Sequence, residues 1–470
     1  MIPITQFAGD DVAVFGLGRT GLSAAKTLIA GGATVHAWDD NETSRKAAEA
    51  SGVTLSDINK RDWQNFKALV LSPGVPLKFP KPHRIVRMAM ATNTPIIGDM
   101  ELFARAVAAL PARGRPKVVG ITGTNGKSTT TSLIGHILKR AGRDVRVGGN
   151  IGTGVLDLEP LHANAIYVLE LSSYQLDLVR SLHCDVAVFL NISPNHLDRH
   201  GGMDGYLDAK RRIFEGQNDQ DTAVVGIDDL HSQSIAMSLG RGPATVHQVS
   251  AEFALGKGVS AVDGLLYDSI RGKAVRIADL REAAALPGRH NHQNAAAAYA
   301  ACRALGMDPN AIMDGIMTYP GLPHRQESVT TVNGIRFIND SKATNPLAAE
   351  QAIKAWDSIY WIAGGKPNGE PLDCLLPFLD RVRKAYLIGE AAASYANQLD
   401  GKVALEQSGD LDKAIAAAIA DAEAAGDAGV ILLSPACQSF DQFKDFEARG
   451  EAFRQLAINH AQRAALMESA

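Results

Sequence analysis

Cysteine is sparse in this chain, and the few residues present stand apart. Cys184, Cys302, Cys374 and Cys437 share no C-x-x-C pair and no metal-ligand spacing. That excludes a disulfide framework and predicts reduced, packed thiols in a cytoplasmic protein. An excess of positive charge is missing too: 47 Lys and Arg face 51 Asp and Glu, a net charge of −4. With no overall basic field, neither nucleic acid nor an anionic membrane is an expected partner, and any anionic ligand must be held by local loops. No apolar run approaches the ~20 residues of a membrane span. The opening M-I-P-I-T-Q-F-A-G-D-D lacks the basic and apolar regions of a signal peptide. Repeats and low-complexity tracts are absent as well. What is left, 46% apolar and 21% charged over 470 residues, reads as an ordinary globular protein with room for several domains of ~100–200 residues.

The most informative stretch is residues 118–131, V-V-G-I-T-G-T-N-G-K-S-T-T-T. Its apolar start reads as a buried parallel strand, its glycines as a tight turn, and residues 128–139 as a helix. That order makes a phosphate cradle. Gly123 and Gly126 let backbone N–H groups converge on one oxyanion, and the helix start adds partial positive charge. Lys127 is placed to reach a terminal phosphate, and the Ser128 hydroxyl to sit on Mg²⁺. The strict motif is not matched, because Ile121 stands where its first glycine belongs and Gly120 lies one step earlier. The polar run Thr122, Thr124, Asn125, Lys127, Ser128 exceeds what a plain strand-to-helix turn needs.

Upstream, residues 11–15 read as a strand followed by G-L-G-R-T-G at 16–21, an Ala- and Leu-rich helix, and a strand at 33–38 ending in Asp39 and Asp40. This is the dinucleotide pattern, which by itself says only that a diphosphate or nucleoside lies near the turn. An NAD(P)-dependent oxidoreductase is one reading of it, but the unit looks short and no hydride-transfer set is evident. A further glycine turn, L-S-P-G-V-P, follows the strand 68–71 at the same sheet edge.

Downstream, the strand 165–171 ends near Glu170. A buried acid there needs a partner, either Mg²⁺ or a structural cation. The strand 185–190 runs into N-I-S-P-N-H-L-D-R-H, clustering His196, Asp198 and Arg199 at the carboxyl edge where ligands bind. In Y-L-D-A-K-R-R-I-F, Tyr206, Lys210 and Phe214 share one helix face, which turns Lys210 inward, as a functional group or as a lysine snorkelling past its neighbours. Residues 224–286 read as β-rich. His290, Asn291 and Asn294 open an Ala-rich helix, as caps or as ligands. The hinge Y-P-G-L-P-H-R precedes a third alternation of strands and helices, with loops D-S-K-A-T-N, G-G-K-P-N-G and S-P-A-C-Q-S-F-D-Q-F at strand ends.

Taken together these loops resemble the Mur ligase family, and the resemblance covers essentially the whole chain. G-I-T-G-T-N-G-K-S-T looks like that family's ATP loop. E-L-S-S-Y-Q, N-I-S-P-N-H-L-D-R-H, Y-L-D-A-K, H-N-H-Q-N, L-P-H-R and N-D-S-K-A-T-N stand in the family's order, and S-P-A-C-Q-S-F-D-Q-F resembles the member that adds D-glutamate. The implied fold is α/β with three domains. They are a Rossmann-like UDP-substrate domain (residues 1–98), a central P-loop-type ATPase domain with a mainly parallel sheet (99–320) and a Rossmann-like amino-acid-binding domain (321–470). The implied reaction is ATP-dependent amide formation between UDP-N-acetylmuramoyl-L-alanine and D-glutamate through an acyl phosphate, in peptidoglycan precursor synthesis. Another Mur-type or folyl-polyglutamate ligase is the nearest alternative.

The resemblance also implies residue roles. Gly123, Thr124, Asn125, Gly126, Lys127, Ser128, Thr129, Asn294, Arg325 and Asp340 would contact ATP. Gly18, Arg19, Thr20, Asp39, Ser72, Gly74, Asn150 and His196 would hold the UDP substrate. Ser128, Glu170, His196 and Lys210 would serve two Mg²⁺ ions, Lys210 as a carbamate, and Lys127, Glu170, His196 and Lys210 would be catalytic. Thr344, Ser439, Phe440 and Phe446 would hold D-glutamate. In the family a lysine often stands three residues after the second glycine of the G-G turn. Asn368 occupies that place here, so Lys366 is the expected substitute, with Lys342 next. A monomer without nucleic-acid or membrane partners is expected.

Overall fold

The computed structural model describes residues 1–426 and 428–468. Three sheets carry the chain. The first has four parallel strands, β1 (Asp11–Phe15), β2 (Thr34–Trp38), β3 (Ala68–Leu71) and β4 (Ile96–Ile97), in the order β2-β1-β3-β4. The second has nine: β5 (Lys117–Thr122), β6 (Asp144–Gly149), β7 (Ala165–Glu170), β8 (Val186–Phe189), β9 (Thr222–Gly226), β10 (Thr245–Ser250), β11 (Val259–Val262), β12 (Leu265–Asp268) and β13 (Val275–Asp279). Their order is β13-β12-β11-β10-β9-β8-β5-β7-β6, parallel except for the β11–β12–β13 meander at one edge. The third has six, β14 (Glu327–Val332), β15 (Ile335–Asn339), β16 (Ile359–Gly364), β17 (Val382–Ile388), β18 (Ala404–Gly409) and β19 (Val430–Leu433), in the order β14-β15-β19-β16-β17-β18, parallel apart from β14. The α/β class expected from the alternation is the one observed.

The central strands are apolar on both faces because helices cover both faces, as parallel crossovers require. Val118, Val119 and Ile121 of β5, and Val186 to Phe189 of β8, are all buried. The helix Arg289–Ala304 packs beside the helix Lys127–Arg140, and Ala295 to Ala301 along it are buried. Small side chains let the two helices approach closely. The stretch read as β-rich, residues 224–286, also contains a helix, Leu230–Leu239. Its Ser, His and Gln content hides the apolar stripe that would have marked it, while Asp229 caps it by accepting from Ser232 N–H.

The chain divides into two compact units, residues 1–283 with 289–319, and residues 284–288 with 320–470. Within the first unit the first two sheets are tied together through main chain. Glu101 accepts from the N–H groups of Arg180 and Ser181, and Ile2 N–H donates to Leu156 O.

Candidate active site

The phosphate loop forms where β5 ends. Gly123 and Gly126 have φ of +151° and +79°, conformations that favour glycine. A Cβ on Gly126 would also lie 2.2 Å from Asn294 Oδ1, so Asn294 packs directly against the loop. The helix Lys127–Arg140 starts immediately after Gly126 with no side-chain cap. Its first N–H groups therefore face the loop as donors for an anion. Lys127 Nζ donates to the carbonyls of Gly123 (3.0 Å) and Thr124 (2.7 Å), folding back over the cradle. Ser128 is buried on the first helical turn, with Asn125 and Thr129 to either side of the loop-to-helix junction.

Glu170 ends β7, and its side chain is 3% exposed. Asn150 Nδ2 donates to its Oε1 at 2.7 Å, and Oε2 has no hydrogen-bond partner. A buried carboxylate oxygen left without a donor is costly, and a hard cation such as Mg²⁺ is a fitting partner for it.

Lys210 faces inward as the helix spacing predicted, 1% exposed beside Tyr206 and Phe214, both buried. Its Nζ reaches Gly123 O at 2.8 Å and Thr122 Oγ1 at 3.4 Å and lies over the Tyr206 ring. Tyr206 in turn meets Thr124 across 3.1 Å. Burial pushes the Lys210 amine well below the usual lysine range, and the charge of Lys127 adds to the effect against the pull of Glu170. His196 has a left-handed backbone (φ +52°) ahead of the short helix Leu197–His200. Burial lowers its pKa, with His200, Lys210 and Lys127 adding to the shift. The shift favours the neutral ring, which has a lone pair to offer.

A cleft of about 310 Å³ brings Arg19, Thr20, Ser72, Gly74, Asn150 and His196 together. These residues come from four separate segments of the chain. Gly18 and Asp39 do not line it. Both Asp39 oxygens are engaged by main chain, Oδ2 by Leu17 N–H (2.6 Å) and Oδ1 by Asn41 N–H (2.7 Å), so Asp39 braces the glycine turn. Arg199 sends its guanidinium to the carbonyls of Pro73 and Val75 and over the Tyr174 ring. The larger cavity of about 530 Å³ lies at the opposite, amino-terminal edge of the sheet, lined by Lys117, Asp144, Asp185 and Thr222 among others. No residue expected at the site lines it.

In the second unit the loops at the ends of β15, β16 and β19 converge. Asp340 is buried, accepting from Gln326 N–H (3.1 Å) and Ser434 Oγ (2.8 Å). Burial raises its pKa to about 7 against these bonds and the nearby Arg325. Lys366 forms a two-way backbone bridge with Gln438 (2.9 and 3.1 Å), beside the buried Ser439. Asn368 Nδ2 donates to Thr344 O at 3.4 Å. Lys342 Nζ stands 3.8 Å from the Phe446 ring centre, while Phe440 is 61% exposed. Sequence reasoning passed over Arg449, 1% exposed, which donates to the Ser341, Cys437 and Gln438 carbonyls and to Ser341 Oγ. Nothing in the local pattern of the helix Phe446–Glu468 separates Arg449 from the more exposed Arg454 and Arg463.

An uncapped helix behind a glycine loop, an orphaned buried carboxylate oxygen and an inward lysine define a nucleotide-dependent α/β enzyme. The chain belongs to the Mur ligase family. The Mur ligase middle domain matches residues 121–302, the glutamate ligase domain residues 324–437, and the MurD-like N-terminal domain residues 10–98. The last match leaves the first glycine turn no role as a dehydrogenase domain. The UDP-N-acetylmuramoylalanine–D-glutamate ligase of Caulobacter sp. (strain K31) is 56% identical over 460 residues, covering 98% of both chains. The ligase of the same name from Rhodospirillum rubrum is 49% identical, covering 98% of this chain and 97% of that one. Among solved structures, the UDP-N-acetylmuramate-alanine ligase MurC of Thermotoga maritima shares the fold at 16% identity, with a TM-score of 0.57 over 96% of this chain and 99% of that one.

Proposed function

We propose that this protein joins D-glutamate to UDP-N-acetylmuramoyl-L-alanine at the expense of ATP, releasing ADP and phosphate, as a monomeric cytoplasmic enzyme of peptidoglycan precursor synthesis. The full-length likeness to ligases of that name supports the substrates. The observation that carries the reading is Asn150, which lines the cleft and also holds Glu170 at 2.7 Å. One residue thus links the wall suited to the UDP substrate with the carboxylate suited to a metal ion.

The uncapped helix start and the loop N–H groups bind and orient the ATP phosphates, and Lys127 leaves the Gly123 and Thr124 carbonyls to neutralise the transferring group. Ser128, Glu170, His196 and Lys210 would hold two Mg²⁺ ions, which supply Lewis-acid charge neutralisation when bound. Neutral His196 and the unbonded Glu170 oxygen fit that task, and so does Lys210 as a carbamate. A positive ammonium there would crowd cations, whereas a depressed amine is open to CO₂ and its carbamate offers two hard oxygens. Arg19, Thr20, Ser72 and Gly74 orient the substrate so that its L-alanyl carboxylate faces the loop. Asn294, Arg325 and Asp340 complete the nucleotide contacts. Thr344, Lys366, Ser439, Phe440 and Phe446 hold D-glutamate, whose two carboxylates need donors at two separated points.

Phosphate release from ATP in the presence of UDP-N-acetylmuramoyl-L-alanine, compared among D-Glu, L-Glu, L-Ala and diaminopimelate, tests the assignment. Turnover with D-Glu alone supports it, and turnover with another amino acid, or none with D-Glu, rejects it.

A further inference from the structure

His183, Asp185 and Asp221 meet at the amino-terminal edge of the nine-stranded sheet, the end away from the phosphate loop. Asp185 immediately precedes β8 and Asp221 immediately precedes its neighbour β9. One ligand atom from each lies within 4.8 Å of the others. Each side chain is also anchored to main chain through its remaining polar atom. His183 Nδ1 meets Gly216 O at 2.7 Å, Asp185 Oδ2 accepts from Val118 N–H at 2.8 Å, and Asp221 Oδ2 accepts from Asn218 N–H at 2.7 Å. Metal ligands are commonly oriented by such outer bonds.

A carbonyl can only accept, so Nδ1 of His183 carries the proton. In the neutral ring the Nε2 lone pair then points at Asp221 Oδ1, 3.3 Å away on a residue 3% exposed. Two lone pairs repel at that distance unless a proton or a metal ion lies between them. A tetrahedral ion with bonds of ~2.0–2.2 Å sets its ligands about that far apart. Asp185 Oδ1 is held by Lys117 Nζ at 2.5 Å, and that lysine's side chain is 61% exposed and able to swing away. A cleft of about 390 Å³, lined by His183, Asp185 and Asn218, leaves space for water.

We propose that His183, Asp185 and Asp221 form a second metal site, for a Zn²⁺-type divalent ion with water in the fourth position. One imidazole nitrogen and two carboxylate oxygens at tetrahedral spacing suit Zn²⁺ or Co²⁺, whereas Mg²⁺ demands near-octahedral geometry and keeps several waters. The ion would tie the His183 loop to the starts of β8 and β9 and stabilise the fold by binding the native state alone. Lys117 competes for Asp185 and so weakens the site.

The test is zinc binding to the full-length protein in excess Mg²⁺, followed by native mass spectrometry, with Co²⁺ absorption reporting coordination. One Zn²⁺ per chain, a tetrahedral Co²⁺ spectrum, loss of both in His183→Ala and tighter binding in Lys117→Ala are expected. His183 is exposed, so its loss leaves the fold intact, and the unchanged melting temperature of metal-free His183→Ala checks this. No bound Zn²⁺, binding retained by His183→Ala, or weaker binding in Lys117→Ala would overturn the site.

Discussion

The Lys210 amine reaches the Gly123 carbonyl at 2.8 Å, so a lysine carried on a helix 87 residues downstream touches the phosphate loop where its strand ends. It is buried and short of a carboxylate partner at ion-pair distance among the described residues, and burial pushes its pKa well down, which favours the uncharged amine. Carbamylation is then testable. Enzyme prepared in CO₂-depleted buffer should lose ligation reversibly, and bicarbonate should restore it. Activity indifferent to bicarbonate would leave Lys210 a plain amine braced on Gly123.

Lys127 bonds the carbonyls of Gly123 and Thr124 in the phosphate loop. Lys127→Ala should leave the melting temperature close to that of the parent and lower kcat by at least ~10²-fold, the scale for loss of one group that stabilises transition-state charge. Near-normal turnover in the folded variant would remove the phosphate-transfer role of the loop.

In the second unit, Lys366 shares a backbone bridge with Gln438, next to Ser439. Lys366→Ala should raise the D-Glu KM by ~10-fold, the equivalent of one charge-assisted hydrogen bond, with a smaller effect on kcat. An unchanged KM, paired with a rise in Lys342→Ala, would move the carboxylate contact to the lysine over Phe446.

Asp340 carries a pH signature. Its folded pKa is raised to about 7 by burial, above the ordinary carboxylate value. Between the two values the folded state holds a proton that the unfolded state has lost, so stability falls as pH rises through that window. Asp340→Asn removes this titration and keeps an acceptor for Gln326 N–H. Thermal melts should show the variant gaining on the parent as pH rises from the ordinary carboxylate value of 3.8 to about 7, with the difference levelling off above that. Parallel pH profiles for the two proteins would contradict the buried acid.

Much of the site was legible because its parts are local. The glycine turn, the acid at the end of a buried strand and the lysine on an apolar helix face each follow from spacing within a few residues. Asn150 holding Glu170, Asn294 packing on Gly126 and Arg199 reaching the Pro73 and Val75 carbonyls depend on which strands become neighbours. Parallel sheets bring distant segments side by side without a local signal. Asp39 illustrates the limit: the sequence places an acid after the second strand, and only the fold shows its two oxygens accepting from the N–H groups of Leu17 and Asn41. Arg449 was invisible for a related reason, since its burial is created by the loop carbonyls of other strand ends.

The central claim is that ATP activates the L-alanyl carboxylate before D-glutamate attacks it. Mass spectrometry of the phosphate released from substrate carrying heavy oxygen in that carboxylate tests it most directly. The account predicts one heavy oxygen per phosphate, formed only when D-Glu turns over, with the other retained in the new amide. Unlabelled phosphate accompanying D-glutamate addition would contradict it.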